Sequence, residues 1–474
     1  MTEVPAVSMT IGGRAAPALE TMAVVNPATG QPFAQAPDCT QAQVDEAVAA
    51  ARAAQPAWAA RTWDERRAAL QAMAGALFAN KEELKRLFTA EQGKPYADAE
   101  AEILGAAYWL TETAKLELPE HVTEDSETRR GVVKRVPLGV VAGIVPWNFP
   151  VILAAFKLGP ALLTGNTLVL KPSPTTPLTT LRLGELFREV LPPGVLNVIS
   201  GGDRLGPWLT SHPGVDKISF TGSTQTGRRI MEAAASSLKR ITLELGGNDA
   251  AIVLPDIDVE RTAPELFWAA FRNTGQICIA TKRMYIHEDV YEPLKAALVE
   301  YASTVVMGDG SEQGVQMGPL QNAAQHRRVS ELIADSEAAG HKMIRAGRAP
   351  KGEGYFLPVT FVDAPPEDSR IVVEEQFGPV LPLLPFRDVD DAVARANASE
   401  YGLGASVWSG DPDRAEAVAE RLQAGTVWIN ETQHLSPLSA FGGIRQSGMG
   451  VEGGAEGLLE FTAAKAVFKR KRSV

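Results

Sequence analysis

The chain has 474 residues, 45% hydrophobic and 22% charged, which exceeds the roughly 250–300 residues one core can serve and predicts two or three globular domains. Its net charge of −11 excludes broad nucleic-acid binding, which needs a basic face against phosphate. Two cysteines, Cys39 and Cys278, exclude a disulfide framework and offer no zinc spacing, so no metal is expected and a reducing cytoplasm fits.

The opening MTEVPAVSMT carries Glu3 and Pro5 and no basic stretch followed by an apolar run, so no signal peptide is expected. Thr40 and Gln43 form a capping-box pattern ahead of the alanine-rich residues 44–58, and residues 62–91 carry apolar side chains at helical spacing. Both stretches are predicted as surface helices. From residue 139, short apolar runs at 139–147, 167–172, 195–201 and 216–222 alternate with helical stretches. Short buried strands spaced by helices imply right-handed crossovers and a doubly wound parallel sheet, which binds ligands beyond the carboxyl ends of its strands. The most apolar stretch, 139–170, is broken by Asn148, Pro150, Lys157, Pro160 and Asn166, so no membrane helix of about 20 apolar residues is expected. A strand at 250–255, a helix at 256–273 and strands at 282–290, 426–430 and 464–470 predict a second α/β domain. The change is placed at Gly246 and Gly247, where the backbone turns freely. The basic residues 469–472 read as a solvated terminus.

Two glycine-rich segments invite a nucleotide reading. GMGVEG at 448–453 matches the GxGxxG fingerprint, but no apolar strand precedes it and no βαβ unit follows. In ISFTGSTQTGRRIMEAAA, 218–235, a strand leads through a glycine turn into an amphipathic helix whose N-terminus forms an anion site. Arg228 and Arg229 stand where a P-loop needs Lys and Ser/Thr, which disfavours a Mg²⁺-dependent phosphotransferase.

Cys278, between Ile277 and Ile279, and Glu244, in LELGG, combine a thiol that can attack a carbonyl with a carboxylate that can activate water. Alone, the first also reads as a buried apolar cysteine and the second as a structural carboxylate in need of a partner. In order along the chain come PWNFP (146–150), KPSPTTP (171–177), FTGST (220–224), LELGG (243–247), GQIC (275–278), EEQFGPV (374–380) and FGGIRQSG (441–448). This series resembles the NAD(P)-dependent aldehyde dehydrogenase superfamily, hydrolytic type, over nearly the whole chain.

The resemblance implies oxidation of an aldehyde to its carboxylic acid through a Cys278 thiohemiacetal and thioester. Asn148 with the Cys278 backbone N–H would steady the oxyanion, and Glu244 would be the general base; members that acylate coenzyme A generally lack that glutamate. Lys171 would contact the adenosine ribose, and Trp147 and Ser223 would lie near the pyrophosphate. Gly202 and Gly206 would belong to the preceding nucleotide loop, while Glu375 and Phe377 would hold the nicotinamide ribose and ring. NAD is the implied cofactor. Pro174 stands where NAD-selective members often carry a glutamate, which leaves NADP use open. Phe149, Leu153, Phe156, Ile277, Ile279, Leu435 and Phe441 would line the substrate tunnel. None is charged, which favours a hydrophobic or aromatic aldehyde over a dicarboxylic semialdehyde that would want an arginine clamp. His434, in the same loop, reads as an exposed loop histidine.

The implied architecture is a doubly wound α/β cofactor domain (1–117 and 138–246), a second α/β catalytic domain (247–446) and a small β oligomerisation hairpin (118–137 with 461–474) serving a homodimer or homotetramer. A catalytically silent binding protein on the same fold is the alternative, and intact Cys278, Asn148, Glu244 and Glu375 speak against it.

Overall fold

Two largely parallel sheets organise the chain in the computed structural model, which describes residues 6–471. In the first, the strands Leu196–Val198, Thr167–Lys171, Val140–Ile144, Lys217–Thr221 and Arg240–Glu244 lie side by side, all parallel. The chain starts at Val140–Ile144, adds strands on one side, then returns to add Lys217–Thr221 and Arg240–Glu244 on the other. That reversal leaves a crevice at the carboxyl ends next to Val140–Ile144, the place where a doubly wound sheet binds ligands. The strands Val140–Ile144, Thr167–Lys171 and Lys217–Thr221 are buried at every position. Helices covering both faces of a parallel sheet explain why these strands read as unbroken apolar runs.

Antiparallel strands close both edges. Met9–Ile11 pairs with Leu196–Val198 at one side, and Gly448–Met449 pairs with Arg240–Glu244 at the other. The rejected GMGVEG segment therefore begins as an edge strand beside Glu244, with Gly448 in register with it.

The second sheet has the order Lys342–Ala346, Val359–Asp363, Val380–Phe386, Thr281–His287, Asp249–Val253, Gly404–Trp408 and Thr426–Ile429. It is parallel except for Lys342–Ala346. The chain passes from one sheet to the other between Glu244 and Asp249, the stretch that holds Gly246 and Gly247. A third sheet joins Thr462–Arg470 to Arg129–Pro137 and that strand to His121–Asp125, antiparallel throughout.

Thr40 caps the helix Gln41–Ala59 with the full reciprocal box to Gln43. Residues 62–91 form two helices rather than one, Trp63–Ala79 and Lys81–Gln92. Asn80 leaves helical geometry at φ −109°, ψ 14°, and its Nδ2 donates to the Ala76 carbonyl at 2.8 Å, a local bond that competes with the helix. The strands Arg240–Glu244 and Gly404–Trp408 are not expected from the sequence: the first begins on exposed Arg240 and ends on a glutamate and the second opens on a glycine, so neither reads as an unbroken apolar run. No helix among the described residues is long and apolar enough to cross a membrane. Arg472, the last residue of the basic tail, lies outside the described residues, as do 473–474 and the first five.

Candidate active site

Strand ends of the first sheet deliver one wall of the site. Trp147 and Asn148 follow Val140–Ile144, Ser223 follows Lys217–Thr221, and Lys171 and Glu244 are the last residues of their strands. The second unit delivers Cys278 just before Thr281–His287, and Glu375 and Phe377 just before Val380–Phe386. A cavity of about 370 Å³ lies between the two, and its walls bring together Asn148, Ser223, Cys278, Glu375 and Phe377. Trp147 and Leu153 also face it.

The segment leading to Cys278 is locally strained and heavily tied. Asn273 and Thr274 take left-handed backbone angles, φ 49° and 59°, each a cost of about 1–3 kcal/mol that surrounding bonds must hold. Thr274 Oγ1 donates to the Gly318 carbonyl at 2.8 Å, and Asn273 Nδ2 donates to the Asn148 carbonyl at 3.2 Å. Gly275 has φ 75°, and a Cβ there would collide with the Gly378 carbonyl.

Asn148 is 4% exposed, and its Nδ2 donates to the Gln276 carbonyl at 2.9 Å, two residues before Cys278. Its own carbonyl accepts from Lys94 Nζ at 3.1 Å. Lys94 is paired with Glu102 at 2.5 Å, both side chains almost fully buried, and lies 3.9 Å from the centre of the Phe149 ring. Glu102 Oε1 in turn accepts from the backbone N–H groups of Val151 and Ile152, capping the helix Pro150–Leu163. One buried ion pair thus fixes Asn148, Phe149 and the helix start. Removing one partner of a buried pair leaves an uncompensated charge, so Lys94→Met is expected to lower unfolding free energy by about 3–5 kcal/mol, measured by urea titration.

The thiol of Cys278 is half-buried, and burial pushes it up to about 12, with Asp249, Glu375 and Glu244 adding to the rise and Lys282 opposing it. Glu244 is 3% exposed and, among the described residues, neither of its oxygens has a hydrogen-bond partner. Burial and the neighbouring Glu452 hold its carboxyl well above the usual carboxylate range, opposed by Lys157. The Lys157 ammonium, fully buried, donates to Glu452 Oε1 and to Thr221 Oγ1, both at 2.8 Å. Without a direct protein partner among the described residues and with its pKa raised, Glu244 takes up a proton more readily than an exposed carboxylate.

The other end of the cavity fits a dinucleotide. Ser223 caps the helix Thr224–Ala235, its Oγ accepting from the Thr226 N–H, and Thr224 and Gln225, whose first-turn N–H groups have no intrahelical acceptor, line the cavity. Lys171 is not on the cavity wall: it is 7% exposed, its Nζ donates to the Pro172 carbonyl at 2.9 Å, and burial lowers its pKa to about 8. Glu375 accepts from the Gly247 N–H at 3.1 Å, and a Cβ on Gly246 would sit 2.5 Å from its Oε2, so a side chain there would push the carboxylate aside. Phe377, at φ 54°, meets Trp147 edge-on with ring centres 5.4 Å apart.

The family model for the aldehyde dehydrogenase family matches residues 14–467 of this chain. The chain belongs to the aldehyde dehydrogenase family. It is 48% identical to a probable aldehyde dehydrogenase of a Pseudomonas species, over 98% of this chain and 94% of that protein. It is 40% identical to a phenylacetaldehyde dehydrogenase of Pseudomonas fluorescens, over 97% and 95%. The NAD⁺ complex of an aldehyde dehydrogenase from Bacillus cereus superposes with a TM-score of 0.96 at 36% identity, covering 98% of this chain and 97% of that one.

In this aldehyde dehydrogenase, Ile277, Ile279 and Phe441 form one buried apolar cluster with Leu403 and Trp428, against which Phe149, Leu435 and Cys278 pack. Phe156 is elsewhere: it is 2% exposed and stacked on Trp109 at 3.7 Å, in the core of the first unit rather than on this cluster. Gly202 and Gly206 are also apart from the cavity wall, and a Cβ at either would meet nothing within 4 Å. The Gly202 N–H donates to Asp38 Oδ1 at 3.1 Å. His434 is largely exposed, with its carbonyl accepting from Trp428 Nε1. Sequence reasoning missed Gln325 and Arg328, which hold the 375–377 loop through the carbonyls of Phe377 at 2.8 Å and Glu375 at 3.0 Å. It also missed Lys94, Glu102, Asp249 and Lys282; Lys282, in ICIATKR, stands out as a charged letter after an apolar run, whereas Lys94 and Glu102 lie in polar stretches that carry no such signal.

Proposed function

We propose that this enzyme oxidises a hydrophobic or aromatic aldehyde to its carboxylic acid with NAD(P)⁺ and water. The observation that carries the reading is the Cys278 thiol on the cavity wall, packed against the apolar cluster of Ile277, Ile279 and Phe441, with the partner-free carboxylate of Glu244 close enough for its charge to act on the thiol. Cys278, once ionised, adds to the aldehyde carbon, and the oxyanion formed takes hydrogen bonds from Asn148 Nδ2 and the Cys278 N–H. The thiohemiacetal gives up hydride and becomes a thioester on Cys278. Glu244 takes a proton from water, the water oxygen attacks the thioester carbon, and the carbon–sulfur bond breaks to release acid and restore the thiol. When bound, the cofactor supplies the cationic hydride acceptor. Lys171, Ser223 and Trp147 would hold its adenosine and pyrophosphate, and Glu375 and Phe377 its nicotinamide half; relatives such as the Bacillus cereus enzyme are solved as NAD⁺ complexes.

Asn148→Ala is expected to lower kcat by about 10²–10³-fold with little change in fold, read by steady-state kinetics and circular dichroism. The test of the function is NADH and NADPH formation over benzaldehyde-like, medium-chain and succinic semialdehyde substrates. Aromatic or medium-chain aldehydes are expected to lead; a lead for succinic semialdehyde would overturn the substrate class. Pro174 in place of a ribose-binding acid supports turnover with both cofactors.

The same reading assigns 1–117 and 138–246 to the cofactor, 247–446 to the nucleophile, and 118–137 with 461–474 to a homodimer or homotetramer contact. Exposed Val467 and Phe468 on the strand Thr462–Arg470 support that contact. Free thiols at Cys39 and Cys278 suit a cytoplasmic setting.

A further inference from the structure

Lys282 lies under the nucleophile segment and has no part in the steps above. Its Nζ donates to the carbonyls of Cys278 at 2.6 Å, Ile277 at 2.9 Å and Ala280 at 3.3 Å, and stands 3.6 Å from Glu375 Oε1. Its side chain is 3% exposed. Three carbonyls within four residues therefore converge on one ammonium, which gathers the backbone around Cys278 into a tight loop.

Asp249 reaches the same loop from the neighbouring strand, where it pairs in register with Thr281. It is 5% exposed, and neither oxygen reaches hydrogen-bond geometry with a described residue. A Cβ on Gly247 would lie 2.7 Å from Asp249 Oδ1 and 2.9 Å from the Cys278 carbonyl, so carboxylate and loop share one glycine-lined gap. The groups facing the thiol are Lys282 from its own segment, Asp249 from the strand Asp249–Val253, Glu375 from the loop before Val380–Phe386, and Glu244 from the end of Arg240–Glu244. One cation opposes three carboxyl groups. The adjacent Arg283 is committed elsewhere, donating to the carbonyls of Asn248 and Ala396.

We propose that Lys282, balanced by Asp249, is a positioning residue that holds the Cys278 loop and sets how readily the thiol ionises. The inference rests on Cys278 as nucleophile. Lys282 draws the thiol pKa down and Asp249 drives it up, while burial raises Asp249 itself to about 7. Lys282 Nζ is bonded to the carbonyl of Cys278 itself, and an opposite charge within about 4–6 Å of a site typically shifts its ionisation by about 1–3 pH units.

The test is the rate of Cys278 alkylation by iodoacetamide in the full-length protein between pH 7 and 10, quantified on the Cys278 peptide by mass spectrometry so that Cys39 does not contribute. Lys282→Met is expected to slow alkylation at least about threefold at every pH, because the thiolate fraction falls more than its nucleophilicity rises. Asp249→Asn keeps the carbonyl clamp and is expected to speed it by a similar factor, and the double variant should return towards wild type. A Lys282→Met profile that superposes on wild type would sink the proposal. Should that variant not fold, Asp249→Asn decides alone: an unchanged or slower rate overturns it. Failure of the nucleophile reading looks different, since Cys278→Ala would then keep its dehydrogenase activity.

Discussion

Cys278→Ala loses aldehyde-dependent NADH formation by at least about 10³-fold, because no other group facing the cavity can form the thiohemiacetal and thioester. Cys39, the second thiol, is 3% exposed and sits after the strand Gln31–Asp38, outside the cavity wall. The cofactor end is untouched by the change: Ser223, Glu375 and Phe377 keep their backbone and side-chain ties. NADH titration followed by the fluorescence of Trp147, which lines the cavity, should therefore match wild type. Retained dehydrogenase activity in this variant would remove the proposed mechanism.

Glu244→Gln separates the two halves of the cycle. Acylation needs the thiol, Asn148 and the cofactor, so one equivalent of NADH should form quickly; turnover should then fall by about 10²–10⁴-fold, the usual worth of a positioned general base. Mass spectrometry of the quenched protein should find the acyl group on Cys278. The pH dependence follows from the raised pKa of Glu244. Only the ionised carboxylate accepts a proton from water, so wild-type deacylation climbs as pH rises through that value, and the glutamine variant loses this climb. A variant with wild-type steady-state turnover would strip Glu244 of its role.

Local order was enough to place the motif-borne residues. Ser223 follows an apolar strand and opens an amphipathic helix, and each of those signals is written in consecutive letters. Glu375 and Cys278 are likewise set among neighbours that carry the pattern. The run 62–91 shows the limit: its apolar spacing is continuous, and only the side-chain bond of Asn80 divides it. Phe156 shows another, since a helix presents its residues to two sides, and the side chain turned towards Trp109 instead of the cavity.

Residue types and their sequence order specified the thiol, the carboxylate, the alternating α/β pattern and the glycine turn into the helix capped by Ser223, because these depend on chemistry and short-range geometry. The electrostatic setting of the site came only from the assembled chain. Lys157 and Glu452 are 295 positions apart yet bonded at 2.8 Å, and Lys94 pairs with Glu102 beneath Asn148 because a helix start, a turn and a strained loop meet there. The segments that leave the strand ends of the two sheets bury these groups, and in that low-dielectric space each charge acts on its neighbours far more strongly than it would in solvent. The shifted ionisation of Cys278 and Glu244 is a property of those shared, buried surroundings.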